Sequence, residues 1–223
     1  MSEAPHPICI VCHHGSPVHF MEVDRRTYWR CPACLATFLD PTQQPGRKEE
    51  YAEYCHHENE LDDPGYRRFL SRLAEPLFEL LPEEAHGLDY GCGPGPALAA
   101  MAAERGYEVS LYDPLFRYNQ AALMRRFDFV TCTEVWEHFH HPFEQFRVLD
   151  RLLRPGGWLG VMTQFQTEDA RFANWQYRRD PTHVVFYRRE TLERVAAMMG
   201  WECRIPEQNV ALFHKPCALA SAG

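Results

Sequence analysis

A glycine-rich turn constrains the fold of this chain more than any other feature of its sequence. The segment LDYGCGPGPALAAM carries the pattern D-x-G-x-G-x-G from Asp89 to Gly95, between a strand-like run and a helix-like run. Glycines allow a sharp turn and a close approach of a ligand, and the helix that begins near Pro96 offers free N–H groups to an anionic group. The dinucleotide fingerprint G-x-G-x-x-G fails, because Pro96 occupies its third glycine position. The turn therefore predicts a ligand site where a strand meets a helix.

Strands and helices alternate after this turn. The pattern predicts strands at YEVSLYD, FDFVTCTEV and WLGVMTQF, and helices at HPFEQFRVLDRLL and RETLERVAAMMG. Such alternation favours an α/β fold with a doubly wound, mostly parallel sheet. Asp113 ends the strand YEVSLYD, where a carboxylate can accept both hydroxyls of a ribose. The structural alternative for Asp113 is a capping residue before Pro114.

Four cysteines near the N-terminus follow the spacing C-x2-C-x18-C-x2-C, and they are Cys9, Cys12, Cys31 and Cys34. Four thiolates suit tetrahedral zinc, and a segment this short needs a staple because it cannot bury a sufficient core. Four cysteine ligands close the site, so this zinc is expected to be structural. Unliganded cysteines in a loop and a redox CxxC pair are the alternatives.

The sequence divides into segments of different composition. We expect a zinc ribbon over residues 1–40, a polar linker with one helical turn over residues 41–63, and the α/β domain over residues 64–217. Within that domain, residues 166–189 form an irregular insert rich in aromatic and arginine residues, which we expect to cap a substrate.

Composition excludes several classes of protein. The chain of 223 residues has a net charge of −8, which makes a broad contact with nucleic-acid phosphates unlikely on electrostatic grounds. It has no run of about 18 apolar residues that would span a membrane. Its N-terminus lacks the basic and apolar regions of a signal peptide, so a cytoplasmic protein is expected.

The motifs together resemble class I S-adenosylmethionine-dependent methyltransferases. The resemblance rests on DYGCGPG, Asp113, FDFVTCTEVWEHF and LLRPGGWLGVMT, and the E-V-x-E-H segment is similar to that of ubiquinone-biosynthesis-type small-molecule methylases. It implies a Rossmann-like sheet of order 3-2-1-4-5-7-6 and S-adenosylmethionine as cofactor. The implied cofactor-binding residues are Asp89, Tyr90, Gly91, Cys92, Gly93, Gly95, Asp113, Pro114, Thr133, Glu134 and Val135.

One departure from the family concerns the edge of the sheet. Only PLFRYNQAALMRR separates Asp113 from the next strand, which is too short for the family's third strand and its helix. We therefore expect that edge strand to be missing, together with the usual contact to the adenine. Pro114, Leu115 and Phe116 are expected to cover the base instead.

Two histidines are candidates for catalysis by the resemblance. His138 follows the cofactor-binding strand, and His183 lies in the insert with which this family builds its substrate wall. An imidazole titrates near neutral pH and can act as a base, whereas a packing or hydrogen-bonding role is the structural alternative for each. Four arginines make the insert locally basic: Arg178, Arg179, Arg188 and Arg189. They suit an anionic acceptor or, equally, a solvated face held by ion pairs.

Three functional hypotheses follow from these features. The first is a methyltransferase that acts on a small-molecule acceptor, with a zinc ribbon that helps to bind or cover the substrate. The second is an RNA methyltransferase whose ribbon binds RNA, against which the acidic charge argues. The third is a non-catalytic zinc-dependent interaction module on a methyltransferase scaffold, against which the intact glycine turn argues.

Overall fold

The N-terminal part of the fold is a small antiparallel sheet followed by two helices. The computed structural model describes residues 8–55 and 60–217. The first elements are β1 (Val18–Val23), β2 (Arg26–Arg30), β3 (Thr37–Leu39), α1 (Arg47–Tyr54) and α2 (Pro64–Phe78). The segment expected to be a linker therefore contributes an eight-residue helix, α1, in place of a single turn. Helix α2 begins where the Asp63 carboxylate accepts a hydrogen bond from the backbone N–H of Tyr66, as an N-cap does.

The larger sheet has six strands in the order β5-β4-β6-β7-β10-β9. Its strands are β4 (His86–Tyr90), β5 (Glu108–Tyr112), β6 (Phe127–Thr133), β7 (Leu153–Met162), β9 (Glu202–Glu207) and β10 (Val210–His214). The helices between them are α3 (Ala97–Glu104), α4 (Gln120–Leu123), α5 (Pro142–Leu152) and α8 (Arg189–Met199). Strands β4 to β7 are parallel, and β10 is antiparallel to both of its neighbours.

This strand order confirms the predicted fold class. It is the family's order without strand 3, so that β5 stands at the edge and only the four-residue helix α4 lies between β5 and β6. The loss costs the core little, because an edge strand covers only one neighbour.

Both faces of the sheet are buried, as is usual when helices cover both sides. Phe129 and Met162 pack with α2 and α3, whereas Val130 and Val161 belong to the cluster that contains α5 and α8. Successive residues of β6 and β7 therefore point into two different cores, as the two-residue period of a strand requires. Within residues 8–55 and 60–217, no helix is both long and apolar enough to span a membrane.

The insert is more regular than the sequence indicated, and it joins the N-terminal sheet. It contains α6 (Asp169–Phe172), α7 (Gln176–Arg179) and β8 (Val185–Phe186). Strand β8 pairs with β3, so one antiparallel sheet of order β1-β2-β3-β8 unites the ribbon with the insert. The run VVFY supplies β-branched and aromatic side chains that are buried here, which suits a strand.

Candidate active site

A cleft of about 1130 Å³ opens at the carboxyl ends of β4, β5 and β6. Parallel α/β sheets commonly bind their ligands at this edge. The glycine turn after β4, the loop after β5 and the segment after β6 form one side, and α1 and the insert contribute the others.

The glycine turn is held by hydrogen bonds and by close packing. Gly91 has φ +79°, and its N–H donates to the carbonyl of Tyr112 at 2.7 Å. A Cβ atom on Gly91 would lie 2.5 Å from Cγ2 of Val135, so both its backbone conformation and its surroundings require glycine. Gly93 has φ +60°, and a Cβ atom there would meet nothing within 4 Å. The backbone of Gly93 therefore lies open to the cleft.

Asp113 connects the glycine turn with the loop after β5. One carboxylate oxygen accepts a hydrogen bond from the N–H of Gly93 at 3.0 Å. The other accepts from the N–H groups of Leu115 at 2.8 Å and Phe116 at 3.0 Å. Asp113 thus faces the cleft and also closes the turn after the strand, so both of its expected roles are compatible with the geometry.

Nine of the eleven predicted cofactor residues line the cleft, and the exceptions are Asp89 and Gly95. Asp89 is buried below it, where its carboxylate accepts a hydrogen bond from the Thr131 hydroxyl at 2.8 Å. Burial raises the pKa of Asp89 to about 6, although the bond from Thr131 opposes this shift. Asp89 therefore supports the turn from behind.

The two candidate catalytic histidines lie together at the cleft. Their ring centroids are 4.7 Å apart. Nδ1 of His138 donates to the carbonyl of Thr182 at 3.1 Å, and Nδ1 of His183 donates to the carbonyl of Tyr177 at 2.7 Å. Both side chains are therefore oriented by backbone groups of the insert.

Two glutamates beside these histidines were not predicted as catalytic. Glu134 is half-buried at the cleft with φ +53°, and Glu137 is fully buried beneath it. Burial, with the neighbouring Glu137 charge, raises the pKa of Glu134 well above its usual value. Burial also raises the pKa of Glu137, although the charge of His183 opposes the shift. The only sequence signal was the E-V-x-E-H segment, which does not indicate whether its glutamates are buried.

Helix α1 forms a wall of the cleft that sequence reasoning missed. Arg47 donates to the carbonyl of Pro114 at 3.1 Å, and Glu50 lies 2.9 Å from Nε2 of His140. Tyr51 stacks on Phe116 with ring centroids 5.6 Å apart. The helix thus binds the loop after β5, although its polar composition gave no sign of a site.

The four N-terminal cysteines come together in a buried cluster. The Sγ atoms of Cys9 and Cys34 are 3.8 Å apart, and those of Cys12 and Cys31 are 3.7 Å apart. Tetrahedral zinc with Zn–S bonds of about 2.3 Å separates its sulfurs by about 3.8 Å. The donor set and its dimensions therefore fit zinc.

The four insert arginines that the sequence singled out do not line the cleft, and each contacts a protein group. Arg178 is buried and donates to Asp24 at 2.6 Å and to the carbonyl of Ala173 at 3.0 Å. Arg188 pairs with Asp169, which also pairs with Arg30. Arg179 donates to Gln176, and Arg189 lies 3.7 Å from Glu193. These contacts agree with the alternative of an ion-paired face.

Comparison with known proteins assigns the family. Residues 59–204 match the family model described as a methyltransferase domain. The ubiquinone biosynthesis O-methyltransferase of Serratia proteamaculans is 34% identical over 71 residues, which are 32% of this chain and 30% of that protein. The chain thus aligns with less than a third of this relative.

Two solved structures are similar to this chain. An O-methyltransferase family protein from Burkholderia thailandensis has a TM-score of 0.51 at 15% identity, over 80% of this chain and 64% of that one. The 1,6-didemethyltoxoflavin-N1-methyltransferase of the same organism, solved with S-adenosylhomocysteine, has a TM-score of 0.48 at 15% identity, over 90% and 99% of the two chains. The family match covers well over half of the chain, which therefore belongs to the methyltransferase domain family, the S-adenosylmethionine-dependent family that its motifs predicted.

Proposed function

We propose that this protein transfers a methyl group from S-adenosylmethionine to a small-molecule acceptor. The observation that carries the proposal is the junction of Asp113 with the glycine turn. Its carboxylate bonds to the N–H of Gly93 at 3.0 Å, at the carboxyl ends of adjacent parallel strands. A carboxylate and an exposed glycine backbone side by side suit a ligand that has both a ribose and an amino-acid part.

The residues present fit this cofactor. Gly91 and Gly93 would hold its methionine part, and Asp113 would hold its ribose. Val135 would form the wall of the cleft below it. The open space above Gly93 supports this assignment, because a ligand can reach the backbone there. The cofactor supplies an electrophilic methyl group on a sulfonium, and much of the acceleration of such a displacement comes from positioning.

On the acceptor side, His138 and His183 are the proposed catalytic residues. Because each Nδ1 donates its proton to a carbonyl, a neutral ring carries its lone pair on Nε2. An acceptor hydroxyl must lose its proton as it is methylated, and a group with a lone pair in the cleft can assist that loss.

A small molecule is the acceptor that the observations support. The Serratia relative is named as a ubiquinone biosynthesis O-methyltransferase, and ubiquinone is a small molecule. The net charge of −8 and the pairing of the insert arginines with protein groups give little support to RNA binding.

Binding and turnover can be tested separately. Calorimetry with S-adenosylhomocysteine should detect binding that Asp113→Ala weakens, whereas the exposed Asp62→Ala should bind as the wild type does. A screen of phenols, amines and carboxylates with cofactor labelled in its methyl group should then find a labelled product. If the wild type binds neither S-adenosylmethionine nor its demethylated product, the proposal is contradicted.

A further inference from the structure

Three side chains beside the cleft form a cluster with the composition of a metal site. The carboxylate of Glu137 and one ring nitrogen each of His138 and His183 lie within 4.8 Å of one another. We propose that Glu137, His138 and His183 bind a divalent transition-metal ion at the acceptor side of the cleft. This site is separate from the four-cysteine cluster and differs from it in ligand type.

The orientation of both imidazoles prepares them to bind an ion. The carbonyls of Thr182 and Tyr177 accept the Nδ1 protons, which fixes the tautomer with the lone pair on Nε2. Metal-ligating histidines usually donate their second ring N–H to a carbonyl or a carboxylate in this way, which orients the ring and makes it more basic.

Glu137 gives the independent observation. Its side chain has no exposure to solvent, and neither carboxylate oxygen has a partner with full hydrogen-bond geometry within the described part of the chain, although the hydroxyls of Tyr177 and Thr163 interact with the carboxyl group. Nε2 of His138 lies 3.9 Å from Oε1, beyond hydrogen-bond distance. Burying a carboxylate with so few donors around it is costly, so a positively charged group is expected at this point. An ion between Glu137 and the two imidazoles would supply this charge.

The ligand set indicates the class of the ion. Two imidazoles and one carboxylate suit zinc, iron(II), cobalt(II) or manganese(II), whereas magnesium and calcium prefer oxygen ligands. Three protein ligands leave coordination positions free, as in catalytic sites. Both histidines line the cleft, so these positions face the acceptor side. If the proposed methyl transfer holds, an acceptor oxygen can occupy one of them.

Binding of cobalt(II) tests the site directly. The protein would be purified with its cysteine site filled with zinc, freed of weakly bound metal, and titrated with Co2+. We expect one equivalent to bind with the weak visible absorption typical of nitrogen and oxygen ligands. If Co2+ instead displaced zinc at the cysteines, intense thiolate absorption would appear in the near ultraviolet.

Substitutions identify the ligands. Glu137→Gln and His183→Gln should each weaken Co2+ binding by at least about tenfold. His214→Gln, a histidine on β10 that pairs with Glu202 and does not line the cleft, should leave it unchanged. Should the variants misfold, proton NMR of the wild type replaces them, because Co2+ must shift imidazole signals of two histidines.

The proposal is overturned if protein whose cysteine site is filled with zinc binds no further equivalent of Co2+, Mn2+ or Zn2+. The proposal is also overturned if both substitutions leave Co2+ affinity unchanged, or if Co2+ shifts no histidine signal in the NMR spectrum. Binding of S-adenosylhomocysteine, measured on the same samples, depends on Asp113 and the glycine turn. A failure of the metal site is therefore distinguishable from a failure of the proposed function.

Discussion

Gly91 shows how two physical constraints can meet at one residue. Its φ of +79° lies in the region that side chains disfavour, and Val135 fills the space where a side chain would begin. Gly106 shares only the first constraint, since it has φ +90° but open space around it. The two glycines therefore separate backbone strain from steric exclusion.

Gly91→Ala should destabilise the fold and abolish cofactor binding, because Val135 must move or the turn must open. Gly106→Ala should cost only about 1 kcal/mol, the backbone cost of a side chain at positive φ. Urea denaturation and calorimetry with S-adenosylhomocysteine measure the two effects. Equal losses of stability and unchanged binding in both variants would contradict the steric argument.

A second prediction at this scale concerns the buried Asp89. Its pKa is about 6 in the folded protein and about 4 in an unfolded chain. The folded state therefore holds the proton more strongly, and its stability falls as the pH rises through this window. Asn cannot ionise, so Asp89→Asn should gain about 2–3 kcal/mol relative to the wild type between about pH 4 and pH 7.5.

Chemical denaturation of Asp89→Asn at both pH values measures this gain. The exposed Glu84→Gln serves as the control and should show no such gain. A stability difference between Asp89→Asn and the wild type that does not change with pH would show that Asp89 is not the group responsible.

Elements differ in how far the sequence predicts them. The strand order could be predicted, because the glycine turn, Asp113 and the alternation of strands and helices are local patterns. The short connection PLFRYNQAALMRR even predicted the missing edge strand. The position of α1 could not be predicted, because it depends on contacts such as Arg47 with Pro114, which are distant in sequence. The burial of Glu137 likewise follows from the insert that packs over it.

Helix α1 and the loop after β5 yield a prediction about the cofactor. Phe116 lines the cleft and stacks on Tyr51, so it is placed where the family's missing strand leaves the adenine without its usual contact. Phe116→Ala should weaken the binding of S-adenosylhomocysteine by about 1–2 kcal/mol, or roughly fivefold to thirtyfold in affinity. Tyr118→Ala, which removes an exposed aromatic ring of the same loop, should leave affinity unchanged. Calorimetry decides, and unchanged affinity in Phe116→Ala would exclude a role in covering the base.

At the scale of the whole molecule, the ribbon and the insert are joined in one antiparallel sheet. Cys34 lies three residues before β3, and β3 pairs with β8. The N–H of Leu39 donates to the carbonyl of Val184 at 2.8 Å, while the N–H of Val184 donates to the carbonyl of Glu137 at 2.8 Å. The chain of hydrogen bonds thus runs from the cysteine cluster to the residues beside the two histidines.

Loss of the proposed zinc should therefore loosen the acceptor side of the cleft and leave the cofactor side unchanged. In Cys34→Ser, hydrogen exchange over residues 182–187 should become at least about tenfold faster, a loss of about 1.4 kcal/mol in local stability. Strand β6 should keep its protection, because its hydrogen-bonding partners β4 and β7 belong to the other sheet. Cys203→Ser, a half-buried cysteine outside the cluster, is the matched control and should exchange as the wild type does. Unchanged protection over residues 182–187 in zinc-free Cys34→Ser would mean that the β3–β8 pairing does not depend on the proposed zinc.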